Sequence, residues 1–509
     1  MVPPIETEVI FLLILAIIVA IFARRTRLPY TIGLVFAGLF VAFSTIEILP
    51  LSKEIIFFLF LPPLLFEGAI HLNLGDLREN FKTISLLAVV GVLFSMFFIG
   101  FGVHFFLGLP LLIGLLFGAI ISPTDPVSVL ALFKKLGISK KLSTIVEGES
   151  LFNDGTGVVI FEIILGLIML HHFSIAESVF EFLKVVSGGF VVGGVGALTV
   201  YAFMKKIDDH LIEVMTTIVL AYGAFILAEF LHVSGVIAVV VAGLLIGNYG
   251  REFAMSATTR LSIFGFWEII VFIVNSILFI MIGATIPLSG LIEYLDFLVV
   301  AILLVLVARA INVYSLTTLT NFLREKTPWN WMHIINWGGL RGSIPIALVL
   351  GIQTLDIPFR EQITFMTFGV VFFSLVVQGL TMPPLIKKLK IITIDEDERS
   401  AEAVLTRKAA IKRALKELKI IYDEGEISKV VYDRIKGEYE EKLESLMGSY
   451  QIHIDRKGII KFKQENYARK KALMAEKSAI NAHMGKGLVS EEVGKEIVKE
   501  IDSLLDELE

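Results

Sequence analysis

Cysteine is absent from all 509 residues, which excludes disulfides, thiol nucleophiles and thiolate-bound metals. Proline is sparse, at 15 positions, so any proline inside an apolar run carries information. Charge is scarce through most of the chain. Residues 1–390 hold 48 charged side chains, and the last 119 residues hold 47. That shift predicts a membrane domain over 1–390 and a charged, helical, cytoplasmic domain over 391–509. The net charge of −5 gives no footprint for nucleic acid. No HExxH, Walker or GxSxG motif occurs, and nothing in the sequence calls for a cofactor. Residues 1–23 lack the basic start and small-residue cleavage site of a signal peptide and read as a first spanning helix.

What is present is hydrophobic length, with 55% of residues apolar. A helix needs about 20 such residues to cross a bilayer. The pattern predicts an all-α membrane protein with thirteen spans, at 7–23, 28–43, 54–70, 83–107, 110–133, 142–170, 176–204, 211–232, 235–249, 261–286, 291–321, 330–352 and 361–386. Alternating the loops across the membrane puts eighteen lysines and arginines on the side of the first loop. Only Lys53, Lys184 and Arg360 fall on the other side. By the positive-inside rule the amino terminus is outside and the tail is cytoplasmic, in a multi-pass protein of the cell membrane. Two arginines, Arg309 and Arg341, sit instead near mid-span, where each needs a counter-charge or a cavity.

Span five contains "SPTDPVSV" and span twelve "GGLRGSIPIA", each with a proline beside polar or charged residues. Proline removes a backbone donor and disfavours helix before it. Unwound backbone at membrane depth survives only inside protein or against a cavity. The breaks lie seven spans apart, so the two segments run in opposite directions, as in inverted-topology repeats with a site at their interface.

Depth brings charged groups to one level. Asp154 falls about 18 Å into a core about 30 Å thick, and Asp125, Glu67, Arg309 and Arg341 fall near the same plane. Clustered, such groups can neutralise one another. In "EGESLFNDGTG", Ser150 and Asp154 share one helix face, and Glu149 and Asn153 share another about 100° around. The first face offers oxygen ligands to a monovalent cation. The second offers a carboxylate to an arginine, with an amide beside it. Thr124 and Asp125 add a hydroxyl and a freed carbonyl at the break. Glu147, close to the start of span six, reads as a complement to the helix dipole. One carboxylate that holds either a proton or a cation, never both, suffices for coupled exchange.

These three motifs resemble the signatures of the monovalent cation/proton antiporter-1 family, the prokaryotic NhaP-type sodium/proton exchangers, over nearly all of residues 7–390. The resemblance implies a homodimer in which spans five and twelve cross as unwound helices in a mobile core that moves like an elevator. It implies that Asp154 binds the cation (Na+ or Li+) and the proton, with Ser150, the Thr124 backbone and Glu67 as companions. Asp125 resembles the acid that compensates the helix ends. Glu149 resembles the partner of a core arginine, with Arg341 and Arg309 as alternatives. Asn153 stands where electrogenic relatives carry a second aspartate, which implies electroneutral exchange.

The tail repeats itself. Arg407, Lys408, Ala410, Gly425, Ser428, Val431 and Ile435 recur at one offset from Arg469 onward, predicting two helical hairpins at about 407–435 and 469–497. Gly425 and Gly487 would end a helix in each, and Ser428 and Ser490 would cap the next. Three rivals remain. A potassium/proton antiporter would share every feature above. An intramembrane aspartyl protease would use Asp125 and Asp154, but the Gly-x-Gly-Asp signature such enzymes share is missing. A cation channel is opposed by two fixed arginines at the depth of the acids.

Overall fold

The computed structural model describes residues 4–26, 29–43, 51–170, 175–207, 209–251, 254–286, 293–322, 325, 327–353, 355–391, 396–425 and 427–454, with isolated positions between 469 and 501. The chain divides into two compact units, Met1–Thr393 and Ile394–Glu509.

In the first unit every regular element among the described residues is helical. Among the described residues seven helices are long and apolar enough to cross a membrane: Phe81–Leu107, Lys140–Met169, Val179–Met204, His210–Phe230, Thr258–Thr285, Leu295–Phe322 and Arg360–Lys388. Shorter apolar helices occupy Glu8–Ala23, Tyr30–Ala42, Ile55–His71, Leu111–Ile121 and Gly235–Gly250. A helix pairs its own backbone groups, which is what hydrocarbon requires. Polar residues mark several starts. Asp209 accepts from the amides of Leu211 and Ile212, Ser234 from Ile237, and Ser256 from Thr259. The outward face is apolar, with Phe105, Phe230, Leu261 and Val219 among its exposed side chains. In water such a surface would be an aggregation hazard; against lipid it is the expected exterior.

The interior has two apolar cores. The larger runs through most of the long helices. The smaller joins Phe133, Leu142, Ile145, Met332, Ile335, Met382 and Ile386, so it packs one end of spans five, six, twelve and thirteen together. Val127–Leu136 and Trp329–Trp337 are therefore anchored on that core.

In the second unit, Glu396–Asp423 and Lys429–Ile454 form one helical hairpin. Gly425 takes φ +80° after the first helix, a conformation that costs glycine little. Tyr422 stacks on Tyr432 across the turn at 4.5 Å. The Ser428 carbonyl accepts from the amides of Val431 and Tyr432, starting the second helix. The expected second hairpin, with Gly487 and Ser490, lies almost wholly outside the described residues.

Candidate functional site

Both sequence breaks are breaks in the structure. Leu111–Ile121 stops, residues 122–126 are non-helical, and Val127–Leu136 resumes. Trp329–Trp337 stops, and Ser343–Gly351 resumes after the glycine-rich stretch 338–342. In span twelve the proline is not itself the break. Pro345 lies in the first turn of the second half-helix, where a missing N–H costs nothing.

Each break frees backbone groups that must find partners. Arg341 donates from Nη1 to the carbonyls of Ser122 (2.6 Å) and Pro123 (3.1 Å), at the carboxyl end of Leu111–Ile121. A cation there also suits the helix dipole. Asp125 accepts at Oδ1 from the amide of Val127 (2.9 Å), placing a carboxylate at the amino end of Val127–Leu136. The breaks also bond to each other, Asp125 N to the Leu340 carbonyl at 2.8 Å. Gly342 lies against the Asp125 side chain, leaving no room for a Cβ. The Arg341 amide donates to Ser374 Oγ at 3.0 Å, where a π-helical segment interrupts span thirteen.

Span six clasps the first break. Asn153 accepts from the Thr124 amide (3.2 Å) and donates to the Thr124 hydroxyl (2.8 Å). Ser150 donates its hydroxyl to the Thr124 carbonyl. Gly157 lets Pro123 approach closely enough that a side chain there would collide with the ring. Asn153 therefore braces Thr124.

The partner of Glu149 is Arg309. The guanidinium makes a two-pronged contact with the carboxylate, Nη1 to Oε1 and Nη2 to Oε2, the second at 3.0 Å. Nη2 also donates to the Ile335 carbonyl (2.9 Å) near the end of Trp329–Trp337. Glu149 is 2% exposed and Arg309 7%, so each charge depends on the other.

Beside the breaks lies a cavity of about 110 Å³. Glu67, Thr124, Asp125, Ser150 and Asp154 all line it, from two helices and the break at 122–126. Glu149, Asn153, Arg309 and Arg341 are absent from the lining, which divides the predicted residues into a cavity set and a supporting set. Asp154 has no hydrogen-bond or ion-pair partner among the described residues. Glu67 faces His71 one turn on, with the imidazole Nδ1 3.3 Å from its carboxylate. Among the described residues no three His, Asp or Glu side chains converge on a point that could hold a metal ion. The oxygens gathered at Thr124 are a carbonyl, a hydroxyl and nearby carboxylates, a set that suits a weakly held monovalent cation.

Two lining residues escaped the sequence reading. Asn275 comes from Ala257–Thr285, and the polar pair Asn275–Ser276 within an apolar run was the signal for it. Glu147 is the other. The helix begins at Lys140, so Glu147 lies two turns inside it, beyond the reach of the terminal dipole, and it lines the cavity.

An all-helical apolar unit whose two interrupted helices meet beside a charged cavity defines a membrane transport protein. Residues 10–388 match the family described as "Sodium/hydrogen exchanger, transmembrane". The chain belongs to that family, and is thus a multi-pass membrane protein of a transporter family. It is 39% identical over 430 residues to the Na(+)/H(+) antiporter ApNhaP of Aphanothece halophytica, covering 83% of this chain and 82% of that one. It is 37% identical over 500 residues to the Na(+)/H(+) antiporter NhaG of Bacillus atrophaeus, covering 95% and 94%. Among solved structures it is similar to the sodium proton antiporter MjNhaP1 of Methanocaldococcus jannaschii. That likeness has a TM-score of 0.63 at 23% identity, over 76% of this chain and 99% of the other, and it speaks to the fold.

Proposed function

We propose that the protein exchanges sodium (or lithium) for protons electroneutrally, with cation and proton competing for the Asp154 carboxylate. The observation that carries this reading is the placement of Asp154 in a cavity beside Thr124 and Ser150, with no side chain among the described residues bound to it. Glu67 and the Thr124 carbonyl complete the cation's oxygen ligands. Asp125 supports the site by holding the broken ends, as do Asn153, Arg341 and the Glu149–Arg309 pair. Only one carboxylate changes partner in a cycle, so one charge leaves as one enters. The relatives named as sodium/proton antiporters supply the choice of sodium.

The same reading places thirteen spans in inverted repeats over residues 1–390, with spans five and twelve as the unwound crossing helices. The amino terminus is outside, the tail domain 391–509 lies in the cytoplasm, and two copies pair in the cell membrane. The cavity is then exposed to each side in turn. A potassium/proton antiporter is the nearest alternative, because the same oxygens would bind a larger ion more weakly.

Purified protein in proteoliposomes tests the proposal. Sodium-driven proton movement is expected in the wild type, unaffected by a potential clamp, and lost in Asp154→Ala with the fold intact. Retained exchange in that variant overturns the reading. A potassium gradient that drives protons better than sodium would select the alternative. Deleting residues 395–509 tests the tail: an unchanged pH profile removes any regulatory role for it.

A further inference from the structure

Glu147, Ser150 and Asp154 are spaced i, i+3 and i+7 on one helix, so they form a single stripe facing the cavity. Glu147 is about 10 Å along the axis from Asp154, toward the Lys140 end. Two observations indicate that the cavity meets solvent at this end. Lys140 pairs with Asp76 at 2.5 Å, so the segment following His71 lies there. The Glu67 side chain, on the helix that ends at His71, is 26% exposed. The walls of the cavity also include Leu65, Leu130 and Leu151, which offer an ion nothing.

The surrounding charges leave Glu147 available. Lys140 is held by Asp76, and Lys134 pairs with Glu268 at 3.9 Å. Glu147 itself makes no hydrogen bond or ion pair with a described residue. A partly buried, unpaired carboxylate inside a membrane helix is costly, and neither the helix dipole nor an ion pair offsets that cost here.

We propose that Glu147 is a relay ligand of the transport cavity. Its carboxylate, together with that of Glu67, receives the monovalent cation at the Lys140 end and passes it to Asp154. A sodium ion entering this narrow space sheds water, and an anionic oxygen midway lowers the cost of doing so. The proposal rests on Asp154 as the exchange site and adds the route by which the ion reaches it.

The test compares Glu147→Gln, Glu147→Asp and Asp154→Ala in full-length protein in sodium-loaded and sodium-free proteoliposomes, with melting temperature measured alongside. Glu147→Gln is expected to raise the half-saturating sodium concentration at least about threefold, with the maximal rate within about twofold of wild type. Glu147→Asp, which keeps the charge, is expected to recover most of the loss. Unchanged half-saturation in Glu147→Gln overturns the proposal. So does a drop in maximal rate and melting temperature in both variants at constant half-saturation, which would assign Glu147 to the fold. If the Gln variant is not recovered folded, Glu147→Ala is read in its place: a raised half-saturation supports the proposal, and an unchanged one overturns it. Exchange that survives Asp154→Ala overturns the underlying reading instead, so the two failures are distinct.

Discussion

The amide of Asp125 donates to the carbonyl of Leu340 across 2.8 Å, tying the two interrupted helices together at their breaks. One residue thus serves both breaks, its backbone bonded to span twelve and its carboxylate to the amide of Val127 in span five. A displacement of one break is transmitted to the other through that bond. The two breaks are joined by this bond, and the cavity lies beside them.

Gly342 tests the closeness of the joint. A Cβ at this position would overlap the Asp125 side chain. Gly342→Ala is expected to cost about 1–3 kcal/mol through overpacking and to reduce exchange, because Asp125 must move off Val127 or Leu340. Thermal unfolding in detergent and exchange in proteoliposomes check the two effects. Wild-type values for both would mean the breaks yield more easily than their packing suggests.

The Glu149–Arg309 pair is expected to hold structure rather than ions. Removing one member leaves a buried charge without compensation, at about 3–5 kcal/mol. Glu149→Leu and Arg309→Met should each destabilise the protein strongly. The double variant should recover much of that loss, since an apolar pair of similar volume avoids desolvation. A melting-temperature cycle reads the coupling. Additive losses would show that the two charges do not depend on each other.

Arg341 caps two carbonyls, so its loss should act through the end of Leu111–Ile121. Arg341→Ala strips partners from the Ser122 and Pro123 carbonyls, at about 1–3 kcal/mol for each buried group left unpaired. Arg341→Lys keeps the charge at the helix end but not the fork, and should fall between. Hydrogen exchange of the amides in residues 111–121 is expected to rise in the Ala variant.

Much of this was legible from spacing alone. Proline beside aspartate in "SPTDPVSV" marked a real break, and the stripe Ser150–Asp154 does face the cavity. The division of labour between the arginines was not legible. Arg309 and Arg341 lie at similar depth, and depth says nothing about azimuth, so either could have met Glu149. Asn153 was legible as a supporting residue, but not the group it holds. Sharing a face with Glu149 fixed its direction, but the unwound Thr124 had moved into that direction and took both ends of the amide. Glu147 was read as a dipole partner, but it lies beyond the first turn, where the dipole acts, and lines the cavity.

Competition at one carboxylate makes a quantitative prediction that two separate sites would not share. If Asp154 binds either ion, a proton must leave before sodium enters. Below the apparent pKa of the site, the half-saturating sodium concentration should rise about tenfold for each unit of falling pH. Above it, the concentration should level off, because the carboxylate is already free. The maximal rate at saturating sodium should stay nearly constant through the lower range, since enough sodium displaces the proton. Initial rates across a sodium series at several pH values measure this. A half-saturation that stays flat while the maximal rate falls with acid would assign proton and cation to different groups. Ser150→Ala should shift the whole curve to higher sodium without changing its slope. On the proposed reading the hydroxyl holds the Thr124 carbonyl in the cation's ligand set and carries no titrating proton in this range.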